Sequence, residues 1–408
     1  MGVLVCGIGD LLLRSAANMP NGLSPHLSNW PFWLLGVVLL TLFIQAVLAA
    51  ARPKPDPLLF PMTMFLVSVG VVMIARLKPD LLVPQLRWLV IGLLVLLVML
   101  RLNNYVGKLC RYQYIWGILC IAVLSMAILF GTEIGGSRNW LVIGSFRVQP
   151  SEFGKILLVL FLASYLSDHN SVLTETKNKI LGFSLPQLRF IAPLAAIWGI
   201  SLLMFVLQRD LGSALLFFGI AILMTYMATN NLFYLLSALL FFAVSAVASY
   251  FMFGHVQNRF DIWLNPWADP TGGAYQVIQS MFAFASGGVW GVGFGEGQPS
   301  LIPEVHTDFI YAAAAEEFGL IGSLTILIVY ALFFYEGLKI AISLNSADKI
   351  LLAGGISVVF FLQSFIIIAG VTKFLPLTGI TLPFISYGGS SMVSCFTMLG
   401  MLLALSRK

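Results

Sequence analysis

Long apolar runs constrain this chain more than any other feature. They lie at approximately 31–51, 58–76, 81–100, 113–131, 153–167, 189–207, 211–228, 232–253, 309–335, 350–371 and 384–405. A helix needs roughly 20 apolar residues to cross about 30 Å of hydrocarbon, and most of these runs are of that order. A transmembrane barrel would need short strands of alternating polarity, whereas these runs are continuous. Hydrophobic residues make up 59% of the chain and charged residues 10%, against about 25% charged in soluble domains. The mean hydropathy is +0.96. The sequence therefore predicts an all-α, multi-pass membrane protein. Residues 3–13 add a partial apolar segment, interrupted by Asp10 and Arg14 and lacking the basic leader of a cleavable signal.

Charge placement gives an orientation. With the C-terminal Ser406-Arg407-Lys408 in the cytoplasm, the loops near 52–57, 101–112, 168–189, 229–231 and 336–349 fall inside. The inner segments, tail included, hold 12 of the 22 Lys and Arg but 5 of the 17 acids. The basic bias is small and has the sign of the positive-inside rule. Three segments then face outward: 131–155, the long loop 254–308, and 372–391. They hold 17 of the 37 Gly and 7 of the 18 Pro in about a quarter of the chain. A loop of more than fifty residues is usually functional or disordered, and three Trp in this one predict order. The net charge of +5 needs no nucleic-acid partner, because juxtamembrane basic residues account for it. Cys6, Cys110, Cys120 and Cys395 and the four histidines are dispersed, with no metal-ligand spacing.

The segment 303–319 reads PEVHTDFIYAAAAEEFG and gathers Glu304, His306, Asp308, Glu316 and Glu317. Asp308 opens an apolar run. It is either a first-turn acid that complements the helix dipole or a general base at a water–membrane boundary. Helical geometry extended back would put Glu304 and Asp308 on one face. Glu316 and Glu317 either line a wet cavity or pair with an Arg or Lys of a neighbouring helix, since lone carboxylates in hydrocarbon are costly.

QPSEFGK (149–155) sets Glu152 and Lys155 three apart. They form a local ion pair with Ser151 as N-cap, or join Arg138 and Arg147 in a cationic surface suited to phosphate. QRDLGS (208–213) is a tight turn. Its Arg209 and Asp210 either mark the interface or line a substrate groove. ASGGVWGVGFGEG (285–297) lacks the GK[ST] and βαβ context of a nucleotide loop. Its glycines suit a backbone pressed against a neighbour or a membrane surface. LPLTGITLPFISYGGSS (375–391) breaks helicity beside the membrane, which is tolerated only where backbone is buried in protein or lines a cavity.

GSRNWLVIGSFRVQPSEFGK, QRDLGSALLFF, QSMFAFASGGVWGVGFGEG, LIPEVHTDFIYAAAAEEFG and LPLTGITLPFISYGGSS follow one another in this order. Together they closely resemble the SEDS proteins (FtsW, RodA and SpoVE) of bacterial division, elongation and sporulation, over roughly residues 55–405. The resemblance implies a SEDS-type bundle of about ten transmembrane helices in the bacterial cytoplasmic membrane. It implies a peptidoglycan glycosyltransferase acting on lipid II, a disaccharide-pentapeptide on undecaprenyl pyrophosphate. Residues 1–54 then form an extra N-terminal region, as in a subgroup with added helices. Residues 55–408 form the SEDS membrane domain, with its large extracytoplasmic loop at about 254–308. The resemblance marks Asp308 of HTDF as the catalytic acid, and Glu152, Lys155 and Arg138 as functional positions. It implies a class B penicillin-binding protein transpeptidase as partner. One departure is Thr378, about where FtsW-like proteins often carry Lys in the proline loop; Lys373 is near but not equivalent.

Glycan polymerisation joins a sugar hydroxyl to the anomeric carbon of a donor, with pyrophosphate leaving. It needs a base at the hydroxyl and positive charge at the departing phosphates. Asp308 is the expected base. Arg138, Lys155, Arg209 and Lys373 are the expected pyrophosphate partners, with Glu152, Glu304 and His306 among the substrate-binding residues. No cofactor is assigned; a divalent cation, Mg or Mn, would assist, but no ligand set is readable. The competing class is a lipid II flippase or secondary transporter, whose polar groups lie near the midplane with access from both sides. Here they crowd one face. A scaffold that only recruits a partner would show a charge-paired Asp308 and no open groove.

Overall fold

The computed structural model describes residues 29–407 apart from 135, 145, 175–177, 181–182 and 186–187. The apolar segment at 3–13 lies outside the described residues. The helices are α1 (Trp30–Ala50), α2 (Leu59–Leu77), α3 (Leu82–Arg101), α4 (Asn103–Leu109), α5 (Gln113–Phe130), α6 (Pro150–Thr174), α7 (Leu188–Gln208), α8 (Leu211–Thr229), α9 (Leu232–Met252), α10 (Gly254–Leu264), α11 (Tyr275–Gly287), α12 (Ile310–Ile342), α13 (Ala347–Val371) and α14 (Gly389–Leu405). Among the described residues, nine helices are long and apolar enough to cross a membrane, and 192–208 and α14 are shorter apolar helices. Each coincides with one of the eleven apolar runs, so the multi-pass helical fold is borne out.

The segments between the helices are more ordered than their sequence suggests. Residues 131–155 fold into β1 (Thr132–Ile134), β2 (Ser137–Ile143) and β3 (Phe146–Val148). These form an antiparallel sheet in the order β1-β2-β3. Its residues Trp140, Leu141, Val142 and Ile143 are of the types that suit a pleated strand. A second small sheet pairs β4 (Asn178–Ile180) with β5 (Phe183–Leu185). The long loop holds α10 and α11 with short 3-10 turns between α11 and α12 and between α10 and α11. The run expected from 384 becomes helical only at Gly389, after Pro383 and the turn that follows it.

Two compact units share the chain. The first comprises the described parts of Met1–Arg101, Asp261–Phe333 and Gln363–Lys408. In it α14 packs along α3, and α1 packs on α3 as well. The second comprises the described parts of Leu102–Phe260 and Phe334–Leu362. There α5 and α8 pack on α6, α7 packs on α8, and Phe205 meets Phe217 edge-on at 4.6 Å. Lipid tails are as apolar as leucine, so close packing and polar links hold such helices together rather than flight from water.

Within the first unit, α12 is broken. Gly319 has φ 67° and ψ −166°, leaving a half-helix, residues 310–318, ahead of the main span. The freed carbonyls of Glu316 and Glu317 accept from Val292 N–H (3.0 Å) and Gly293 N–H (3.2 Å). The freed N–H groups of Leu320 and Ile321 donate to the carbonyls of Gly288 (2.9 Å) and Val289 (3.3 Å). The glycine-rich loop thus supplies the break with the partners that unpaired backbone requires away from water. Contact is backbone to backbone. A Cβ on Gly291, which has φ +84°, would lie 2.7 Å from the Glu317 carbonyl carbon and 2.8 Å from Gly319 N. The expected close approach of this loop to a neighbour is borne out.

Candidate active site

Asp308 sits in the turn that precedes the half-helix, half-buried, with Ile310 the first helical residue. The turn is not helical, because Glu304 adopts φ +51°. The expectation that Glu304 and Asp308 share a helical face is therefore corrected. Glu304 Oε2 instead lies 3.6 Å from His306 Nε2, and its carbonyl accepts from Thr307 N–H and Oγ1 at 3.1 and 2.9 Å. Burial holds the His306 imidazole below the ordinary histidine value; Glu304 opposes this and Lys78 adds to it. The imidazole is therefore mostly neutral at pH 7, and its contact with Glu304 is a polar contact rather than a full ion pair.

The proline-rich segment closes around this turn. Tyr387 N–H donates to the His306 carbonyl (2.9 Å), and Ser386 Oγ to the Thr307 carbonyl (2.5 Å). Gly379, with φ +72°, faces the carboxylate: a Cβ there would lie 3.5 Å from Asp308 Oδ2. The segment's own backbone is held by buried polar side chains. Gln85 of α3 donates to the Ser386 carbonyl and accepts from Gly388 N–H, both at 3.4 Å. Gln363 of α13 donates to the Thr381 carbonyl at 2.9 Å, and the Tyr330 hydroxyl donates to the Pro383 carbonyl. Phe384 is held at φ +66°, a conformation costly for a bulky side chain and typical of functional sites. Lys373, half-buried at φ +61°, ends the turn after α13, where its carbonyl accepts from Trp263 Nε1 at 3.1 Å.

Glu316 and Glu317 have separate partners. Glu317, 1% exposed, pairs with Arg76 at the end of α2, with Arg76 Nε 3.3 Å from Glu317 Oε1. Arg76 also donates to the carbonyls of Gly295 (2.9 Å) and Gly297 (3.1 Å). Glu316 Oε1 accepts from Gln298 N–H at 2.8 Å. Pairing with a cation of a neighbouring helix is thus borne out for Glu317, whereas Glu316 holds a backbone amide.

The second unit carries the remaining predicted residues. Asp210, 5% exposed, caps α8 by accepting from Ser213 N–H (3.0 Å) and Oγ (2.9 Å). It also accepts from Asn139 Nδ2 (2.8 Å) and Gln149 Nε2 (3.4 Å). On β2, Ser137 and Asn139 both reach the α7–α8 turn, Ser137 Oγ donating to the Arg209 carbonyl at 3.1 Å. Arg138, between them, donates from Nε to the Gly131 carbonyl at 2.9 Å and stays exposed. Arg209, at φ +56°, and Arg147 are exposed as well. Burial, then Arg209 and Arg259, hold His255 below its ordinary value. Glu152 and Lys155 form a buried pair at 2.5 Å, with Lys155 1% exposed. The expected ion pair is borne out. Lys155 does not belong to the exposed cationic surface, and α6 begins at Pro150, so Ser151 is not its cap.

Among the described residues, no three His, Cys, Asp or Glu side chains group to hold a metal. Sequence reasoning missed Arg76, Gln85, Tyr387 and Asn139. A lone glutamine inside the apolar run 81–100 is a readable signal; Tyr387 acts through its backbone and leaves none.

Fold and site together define a polytopic helical membrane protein with an acidic turn clamped by a strained proline-rich loop. Residues 57–408 match the FtsW, RodA and SpoVE family, described as cell cycle protein. The chain belongs to this family. The peptidoglycan glycosyltransferase RodA of Mycobacterium tuberculosis is 37% identical over 410 residues, covering 97% of this chain and 86% of that protein. Stage V sporulation protein E of Bacillus subtilis is 30% identical over 371 residues, covering 87% and 98%. Among solved structures, a chain of a peptidoglycan synthase complex that coordinates polymerization and crosslinking matches with a TM-score of 0.71 at 25% identity, covering 86% of this chain and 98% of that one. The rod shape determining protein RodA of Thermus thermophilus shares the fold, with a TM-score of 0.61 at 24% identity over 86% and 97% of the two chains.

Proposed function

We propose that this chain is a peptidoglycan glycosyltransferase that polymerises lipid II at the outer face of the bacterial cytoplasmic membrane. The observation that carries it is the Asp308 carboxylate, half-buried in a turn that Tyr387 and Ser386 hold rigid and placed against Gly379, which has no side chain. The family relation and the activity named for its relatives support it. Asp308 takes the proton from the acceptor sugar hydroxyl. The hydroxyl oxygen then bonds to the donor's anomeric carbon. The carbon–oxygen bond to phosphate breaks, and the undecaprenyl pyrophosphate leaves with that electron pair. A single displacement turns the α-phosphate into a β-glycoside. A base of this kind contributes about 100- to 10,000-fold to the rate.

Charge on the departing phosphates calls for cations. In the first unit Lys373 is the cation proposed for this, and His306 and Glu304 offer polar contacts to the sugar. The second unit has its own exposed guanidinium groups, Arg138 and Arg209, matched to phosphate oxygens. The buried Glu152–Lys155 pair supports the start of α6. The C-terminus is cytoplasmic, and a class B penicillin-binding protein transpeptidase is the proposed partner, by analogy with the synthase complex that shares the fold. The test is incubation of the purified full chain with lipid II, alone and with that transpeptidase. The expected products are β-linked glycan and undecaprenyl pyrophosphate. Transfer of lipid II across a vesicle bilayer without polymer would replace this reading with a transporter.

A further inference from the structure

The half-helix 310–318 begins two residues after Asp308 and ends at the Gly319 break. It is not an extension of the span below it. Its near end follows the turn that Tyr387 and Ser386 hold, and its orientation also depends on what holds its far end. Four contacts do so, made by the glycine-rich loop, by Gln298 just after it and by Arg76. Backbone amides of Val292 and Gly293 take the carbonyls of Glu316 and Glu317. Glu316 Oε1 holds Gln298 N–H. Arg76 reaches Glu317 with Nε and the carbonyls of Gly295 and Gly297 with Nη2, so one guanidinium ties α2, the loop and the half-helix together. Phe294 stacks on Phe318 with rings 5.8 Å apart and nearly parallel at 8°.

The composition of this clamp argues against simple packing. Glu317 is 1% exposed, and among the described residues its buried Oε2 has no hydrogen-bond partner. A buried ion pair is often no more stable than apolar residues of the same shape, yet it fixes one geometry. A charged clamp two turns from the turn that carries Asp308 is suited to fixing rotation and tilt.

We propose that Arg76, Glu316 and Glu317 are positioning residues for Asp308: through the glycine-rich loop they set where the half-helix holds its carboxylate. This rests on the reading of Asp308 as the base. Misplacement of a reacting group by about 1 Å is enough to cost up to about 100-fold in rate.

The test uses the full chain, purified, with lipid II as probe. Arg76→Gln and Glu317→Gln are each expected to lower kcat at least about tenfold while KM for lipid II stays within about twofold. Arg76→Lys, which keeps the charge, recovers most of the rate. The double variant is no slower than the slower single, because both act in one unit. Amounts of folded protein are matched by unfolding midpoint and monodispersity. If a charge variant fails to fold, Glu316→Ala, which removes only the Gln298 contact, takes its place with the same expected split. The inference is overturned by turnover within about twofold of wild type, or by a loss that appears in KM instead. Asp308→Asn run alongside separates the two failures. Wild-type turnover in that variant overturns the base assignment and this inference with it. Lost turnover there, with wild-type turnover in the clamp variants, overturns the clamp alone.

Discussion

Gly379 and Asp308 face each other across the site: a Cβ at 379 would stand 3.5 Å from Asp308 Oδ2, and the residue holds φ +72°. The lack of a side chain there leaves room beside the carboxylate. Gly379→Ala places a methyl group against it and forces an L-residue into the left-handed region, at about 1–2 kcal/mol. The expected result is turnover lowered about tenfold or more, with a stability loss near that strain. Steady-state rates together with thermal unfolding check it.

Asp210 links three segments of the second unit. Asp210→Ala removes the α8 cap and strands donors of Asn139, Gln149 and Ser213. The expected destabilisation is about 2–4 kcal/mol, read as a lower unfolding midpoint. Asp210→Asn, which keeps one acceptor, falls between wild type and Ala.

The pair of Glu152 and Lys155 is buried on both sides. Glu152→Gln or Lys155→Met alone takes from a buried charge its partner in this pair and costs about 3–5 kcal/mol. The double variant removes both charges and recovers most of that loss. A double variant no more stable than the singles would mean that other contacts carry the interaction.

His306 gives the stability a pH dependence. Its folded value lies below the ordinary 6.5, through burial first, with Glu304 opposing and Lys78 assisting. The unfolded chain therefore binds the proton more readily. The stabilisation is full above the unfolded value of about 6.5 and is lost progressively as pH falls from there through the lower folded value. Unfolding midpoints between pH 8 and 5 are expected to drop at the acid end, less steeply in His306→Gln.

Much of this was legible in the sequence. Eleven apolar runs gave eleven helices because helix length in lipid is fixed by hydrocarbon thickness. The glycines of 285–297 announced a backbone contact, though not with which element. Asp308 stood out by position. The rest depended on distance in the chain. Arg76 is 241 residues from Glu317, and it reads as an ordinary basic flank of α2. Gln85 reaches Ser386 across 301 residues. The sheet at 132–148 was hidden because its short strands gain from pairing with each other, which no single run reveals. Glu304 was misread because periodicity says nothing of a single residue turned to positive φ.

The proposed reaction depends on Asp308 as the base. Purified Asp308→Asn, folded and with wild-type affinity for lipid II, is the direct test. The expected polymerisation rate is lower by about 100- to 10,000-fold. Glycan chains made by that variant at the wild-type rate would contradict it.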